Sequence, residues 1–146
     1  MIITGIIDLK SLYNIDKAQF WYQLQSPAIR WVHDNTPPRS VFLTDIAIYH
    51  PVLLAGRPIF YGWPYFAWSA GYNVEARKIA GKKIYAATDS AETMGLLRKY
   101  GISYVVIDDA VRHSGEYRPN EGFFSRNFPL AWATREDNMN IYKVGF

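Results

Sequence analysis

The sequence contains no cysteine. That excludes a disulfide scaffold, a thiolate-ligated zinc site and a thiol nucleophile together. Long apolar runs are also missing. The most apolar segments, residues 2–7 and 104–107, fall far short of the roughly 20 residues a membrane-spanning helix needs. Charge of either sign is modest: 16 basic and 13 acidic residues leave a net charge of +3. A basic arm or tail is excluded, and the four basic residues Arg77, Lys78, Lys82 and Lys83 are too sparse for a nucleic-acid surface. No nucleic-acid partner is expected. Phosphate-binding motifs are absent too. No G-x-G-x-x-G follows a strand, Gly81-Lys82-Lys83 lacks the earlier glycine of a P-loop, and Ser69 does not sit in a G-x-S-x-G elbow. The three histidines, His33, His50 and His113, match no metal-ligand spacing. Neither a cofactor nor a metal is expected.

What is present is an apolar chain of one-domain size, 146 residues with 49% hydrophobic and 20% charged residues. Disorder is excluded, and a core is within reach at this length. Residues 2–9 read as a strand, and Asp16 offers an N-cap to a helix carrying Ala18, Phe20, Trp21 and Leu24. The abrupt strand-like start, with no signal peptide before it, is what a piece of a longer protein would have. Ser26-Pro27 restarts the helix, because serine caps and proline suits the first helical position. Pro37-Pro38 ends it. Residues 40–45 read as a buried strand, and Pro51 opens a short helical turn that Gly56-Arg57-Pro58 breaks. Residues 73–85 read as a basic helix. The next helix is capped by Asp89 or Ser90 and closed by Gly101. Residues 102–107 are apolar almost throughout, which suits a central strand covered on both faces. A short helix at 121–127 and a hairpin of 129–134 with 139–144 complete the chain. Helices between strands predict one α/β domain over residues 1–146. Its sheet is mixed and partly parallel, with four or five strands flanked by helices and a C-terminal hairpin.

Aromatics are the excess. Residues 60–72 hold Phe60, Tyr61, Trp63, Tyr65, Phe66, Trp68 and Tyr72, seven in thirteen positions, where the overall 16% would place about two. Gly62, Pro64 and Gly71 interrupt them, so no long regular element is expected. Rings with polar tips suit sugar faces, lipid interfaces and protein interfaces, but they also fill cores beneath long loops. Arg57 and Arg77 flank the segment. Each could offer its fork of donors to phosphate or carboxylate, or pair with Asp45, Glu75 or Asp108. The candidate ligand-binding residues are therefore Arg57, Tyr61, Trp63, Trp68, Tyr72 and Arg77. A second constellation is Asp45, His50, Asp108 and Asp109, which the strand ends could gather at one edge as the acid–base site of a free-standing enzyme. Capping of turns by the same residues is the plainer reading. Arg112 lies close enough to neutralise one of the paired aspartates. An aromatic loop serving a protein-interaction module is a further alternative.

The order of short motifs carries a resemblance. Trp31-Val32-His33-Asp34-Asn35-Thr36-Pro37-Pro38 runs into Val41-Phe42-Leu43, then Leu54-Ala55-Gly56-Arg57-Pro58, the aromatic stretch and Arg77. Leu97-Arg98-Lys99-Tyr100-Gly101-Ile102-Ser103-Tyr104-Val105-Val106-Ile107 and a closing Asn140-Ile141-Tyr142-Lys143-Val144 follow. This series resembles the C-terminal soluble domain of multi-spanning bacterial and archaeal membrane proteins similar to C-type, lipid-phosphosugar-dependent glycosyltransferases. The resemblance implies an accessory domain on the outer face of the cell membrane. The catalytic acidic residue of such proteins lies in a loop of the membrane-embedded part. That part, and a lipid-phosphosugar or glycan, would be its partners. Gly56, Arg57 and the aromatic segment become the candidates for contact.

Overall fold

The computed structural model describes residues 26–145. The strand and helix expected within residues 2–24 lie outside this range. In chain order the elements are α1 (Pro27–Asn35), β1 (Val41–Leu43), α2 (Pro51–Leu54), α3 (Pro64–Ser69), α4 (Val74–Tyr85), α5 (Ser90–Tyr100), β2 (Ile102–Ile107), α6 (Asp109–His113), α7 (Glu121–Asn127), β3 (Leu130–Thr134) and β4 (Met139–Lys143). Among the described residues the sheet has four strands in the order β1-β2-β4-β3. β1 and β2 are parallel. The pairs β2–β4 and β3–β4 are antiparallel. The mixed, partly parallel α/β sheet with its C-terminal hairpin is thus as the sequence implies.

Local chemistry explains most of the boundaries. The Ser26 hydroxyl accepts from the Ile29 amide at 3.2 Å, with Pro27 opening α1. Asn73 caps α4 by accepting from Ala76, and Asp89 caps α5 by accepting from Glu92. Gly101 ends α5 at φ +64°, the left-handed turn that glycine enters without steric cost. The sequence did not announce two short helices, α3 and α6. α6 is a single turn raised on Asp108, whose carboxylate accepts from the Val111 amide at 2.9 Å.

β2 is central, and its alternation divides the core. Val105 and Ile107 pack with Leu43, Ile84, Tyr85, Leu97, Val111, Phe124 and Tyr142 on the face covered by α4 to α7. Tyr104 and Val106 pack with Ala28, Ile29, Val32, Phe42, Val52 and Ile141 on the face covered by α1 and α2. Both faces are apolar, so β2 reads as a continuous run instead of alternating. Tyr85 brings a polar atom into the larger core. It is wholly buried, and its hydroxyl donates to the Val106 carbonyl at 2.8 Å. Burial holds its ionisation well above the ordinary phenol value.

Tyr85→Phe keeps the ring and removes the donor. Chemical denaturation should therefore show a loss of about 1 kcal/mol, the usual net worth of one buried neutral hydrogen bond.

Candidate functional site

The aromatic segment is launched from the free edge of β1. The Phe42 amide donates to the Pro58 carbonyl at 3.0 Å, and the Phe60 amide donates to the Phe42 carbonyl at 2.7 Å. Phe60 and Tyr61 therefore point into the core and are 2% and 7% exposed. Gly62 then turns the chain outward at φ +54°. A Cβ there would lie 2.8 Å from the Ile59 side chain, so the turn needs glycine. Pro64 opens α3 at its first position, and none of the residues of α3 is buried. The remaining rings stand in solvent: Trp63 at 42%, Tyr65 at 62%, Phe66 at 58%, Trp68 at 67% and Tyr72 at 54% exposed. Tyr65 lies 5.9 Å from Trp68 and 6.2 Å from Phe66, centroid to centroid, so the rings of α3 form one ledge. Ile48 and Leu53 are exposed as well. Five half-exposed rings present roughly 500 Å² of largely apolar surface, near the top of the range for single-chain proteins. Covering it would be worth on the order of 10 kcal/mol before association costs.

Behind the ledge is a cavity of about 260 Å³ walled by Ile48, Leu53, Ile59, Trp63, Phe66 and Tyr72, with Phe60 and Tyr61 at its inner side. Its one charged lining residue is Arg77. The guanidinium carbon sits 4.3 Å from the Tyr72 ring centre and 4.9 Å from that of Phe60. One Nη1–H donates to the Phe60 carbonyl. Neither flanking arginine pairs with Asp45, Glu75 or Asp108; among the described residues no ion pair involves Arg77. The basic face of α4 is partly neutralised instead, because Lys78 and Lys82 converge on Glu116 at 3.3 and 2.7 Å.

Arg57 lies elsewhere. It is buried, and its Nε, Nη1 and Nη2 donate to the Thr36 hydroxyl and carbonyl, the Ala55 carbonyl and the His33 carbonyl at 2.7–3.3 Å. These include carbonyls at the end of α1 that have no partner within the helix. Arg57 clasps α1 to the loop after α2 and is not a member of the Arg77 cavity. A lone arginine next to glycine and proline reads as a ligand group. All its acceptors but the Ala55 carbonyl lie 21 or 24 residues away, which no local pattern reveals.

The second constellation is gathered in part. His50 Nε2 lies 3.1 Å from Asp108 Oδ2, and both residues are buried. His50 Nδ1 accepts from the Val52 amide at 3.2 Å, capping α2, so Nε2 carries the proton and donates to Asp108. Asp108 Oδ1 accepts from Val111, capping α6. Both ring nitrogens are thus committed, and His50 has no free lone pair with which to act as a base. Burial would raise the Asp108 carboxyl, but the hydrogen bond from His50 and those from the backbone N–H groups outweigh it, and the group is held below its ordinary value. Asp45 is close enough to feel both partners. Burial, with the nearby Asp108 charge, raises it against the Ile46 amide. Asp109 does not join them. It is exposed, beside Asn138 and 3.7 Å from Arg112, which also grips Glu121 through two bonds at 2.8 and 2.9 Å. The plainer capping reading describes His50 and Asp108.

No protein-family model matches the sequence. Among solved structures, the C-terminal globular domain of oligosaccharyltransferase from Archaeoglobus fulgidus aligns with 87% of this chain and 100% of its own length, at a TM-score of 0.50 and 15% identity. A second structure of that domain from the same organism aligns over 87% and 98% at a TM-score of 0.42 and 13% identity. In fold, the chain is like an oligosaccharyltransferase C-terminal globular domain, over the whole length of the archaeal domain. This agrees with the resemblance carried by the motif order.

Asp108→Ala should cost about 2–4 kcal/mol in urea denaturation, since it removes the α6 cap and strands the His50 N–H. Asp108 is depressed in the folded state, so its contribution is full above the ordinary carboxyl value of 3.8 and is lost as pH falls through the lower folded value. Asp45 is raised and acts in the opposite sense, favouring folding only at low pH. Asp45→Asn should therefore be neutral or stabilising at pH 7. Arg57→Met, which keeps the stem and removes the fork, should cost about 3 kcal/mol by leaving several buried carbonyls unpaired, measured by the same method.

Proposed function

We propose that this chain is an extracytoplasmic accessory domain of a glycosyltransferase-like integral membrane protein, cut from a longer polypeptide and not catalytic by itself. The observation that carries the reading is the exposed ring ledge of α3 on a domain whose fold is like that of the C-terminal globular domain of an oligosaccharyltransferase. Among the described residues no helix is long and apolar enough to cross a membrane, so attachment would come from the rest of the polypeptide. Trp68 and Tyr65 supply the outermost contact area, Trp63 and Tyr72 the inner rim, and Arg77 the single cation. Tyr61 forms the inner wall. The occupant of the ledge is the membrane-embedded part. A lipid-phosphosugar or glycan held between the two would meet the Trp63–Tyr72–Arg77 rim. Arg57 contributes by holding the loop that launches the segment.

Site-specific photocross-linking in the full-length protein tests this. A benzophenone amino acid replacing Tyr65 or Trp68 should give intramolecular cross-links to a membrane-spanning peptide. The same probe at Glu92, exposed on α5, should give none. Cross-links only to a separate soluble protein or to a second copy would replace the accessory reading with that of an interaction module.

A further inference from the structure

We infer that the cavity beside Arg77 is a binding site for a phosphate monoester bearing an apolar substituent. The inference deepens the proposal above and rests on it only in taking the aromatic segment as a contact surface. The walls come first. Ile48, Leu53, Ile59, Trp63, Phe66 and Tyr72 enclose about 260 Å³, enough for a phosphate and a short chain or one ring. No Asp or Glu occurs between Asp45 and Glu75, so the walls that this segment supplies bring no carboxylate to compete for the cation.

Arg77 is held in a way that leaves its edge usable. Rings cap the guanidinium through Phe60 and Tyr72 at 4.9 and 4.3 Å. These contacts orient the plane without using a donor. One Nη1–H is spent on the Phe60 carbonyl. Among the described residues no other acceptor engages Arg77, so the Nε and Nη2 N–H groups remain for a two-pronged grip on an oxyanion. Phe60 is itself fixed by its amide N–H, which donates to the Phe42 carbonyl, so the arginine is anchored to the edge of the sheet. The neighbouring cations cannot substitute, since Lys78 and Lys82 share Glu116. A half-buried guanidinium without a counter-ion, in an apolar recess, favours a head of high charge density on an apolar body. Phosphate meets this better than carboxylate.

Calorimetric titration of the 146-residue chain, together with the Arg77 Nε–H resonance, tests the site. Hexyl phosphate should bind about tenfold or more tightly than inorganic phosphate, hexanol or hexanoate, and should shift the Nε–H signal. Arg77→Gln should lose about tenfold or more of that affinity. Leu53→Glu leaves Arg77 in place but brings a carboxylate to an exposed part of the cavity wall, and it should lose a similar factor. It covers the case in which Arg77→Gln does not fold. Phosphatidylcholine vesicles doped with decyl phosphate separate the sources. Association with them in addition to hexyl phosphate binding identifies a lipid head, and hexyl phosphate binding alone identifies a soluble ester. Hexanol binding as well as hexyl phosphate, or affinity unchanged in the variants that fold, overturns the inference. Loss of binding with the Tyr65 and Trp68 cross-links intact removes the ligand and leaves the accessory domain standing. Binding without the cross-links does the reverse.

Discussion

The main-chain pairing of Phe42 with Pro58 and Phe60 is the constraint on which the aromatic surface depends. β1 is only three residues long and lies at the edge of the sheet. Its outer side would otherwise present unpaired amides and carbonyls. Residues 58–60 cover that edge for two hydrogen bonds. In doing so they fix where the next residues go. Phe60 and Tyr61 enter the core, Gly62 reverses the chain, and everything after it is carried outside. The Phe60 carbonyl is left facing Arg77. One short bridge thereby sets the floor, the cation and the rim of the cavity.

Two clasps hold this arrangement against the sheet, and both are made from residues that look like chemistry. Arg57 ties the end of α1 to the loop entering the aromatic segment. His50 and Asp108 join the first turns of α2 and α6 across the strand ends. A buried histidine–aspartate pair at the carboxyl edge of a parallel strand pair has the outward form of an acid–base site. Its hydrogen bonds decide otherwise, because every lone pair the reaction would need is already given to a backbone amide or to the partner. The surface beyond the clasps is the reverse case. There much of each ring faces water, and the apolar area left exposed is what a bound partner would cover.

Helix caps, proline positions and apolar runs made α1, α4, α5, β2, α7 and the hairpin legible, since each is a local matter of main-chain hydrogen bonds and side-chain spacing. α6 was missed because a five-residue turn after a strand leaves no periodicity to read. The aromatic excess marked the segment that the fold leaves exposed, where Trp63, Tyr72 and Arg77 line one cavity and Trp68 stands on the ledge beside it. Tyr61 and Arg57 show where composition stops being informative. Both types occur in binding surfaces and in cores, and burial is a property of the whole chain.

By itself the sequence determined the α/β class, the absence of thiol and phosphate-loop chemistry, and the concentration of rings between Phe60 and Tyr72. Those properties belong to residue types and short-range spacing. Only the tertiary structure decided which rings face water, which arginine is spent, and that His50 meets Asp108. Each of these rests on contacts between residues 16 to 58 positions apart, and no local pattern encodes such contacts.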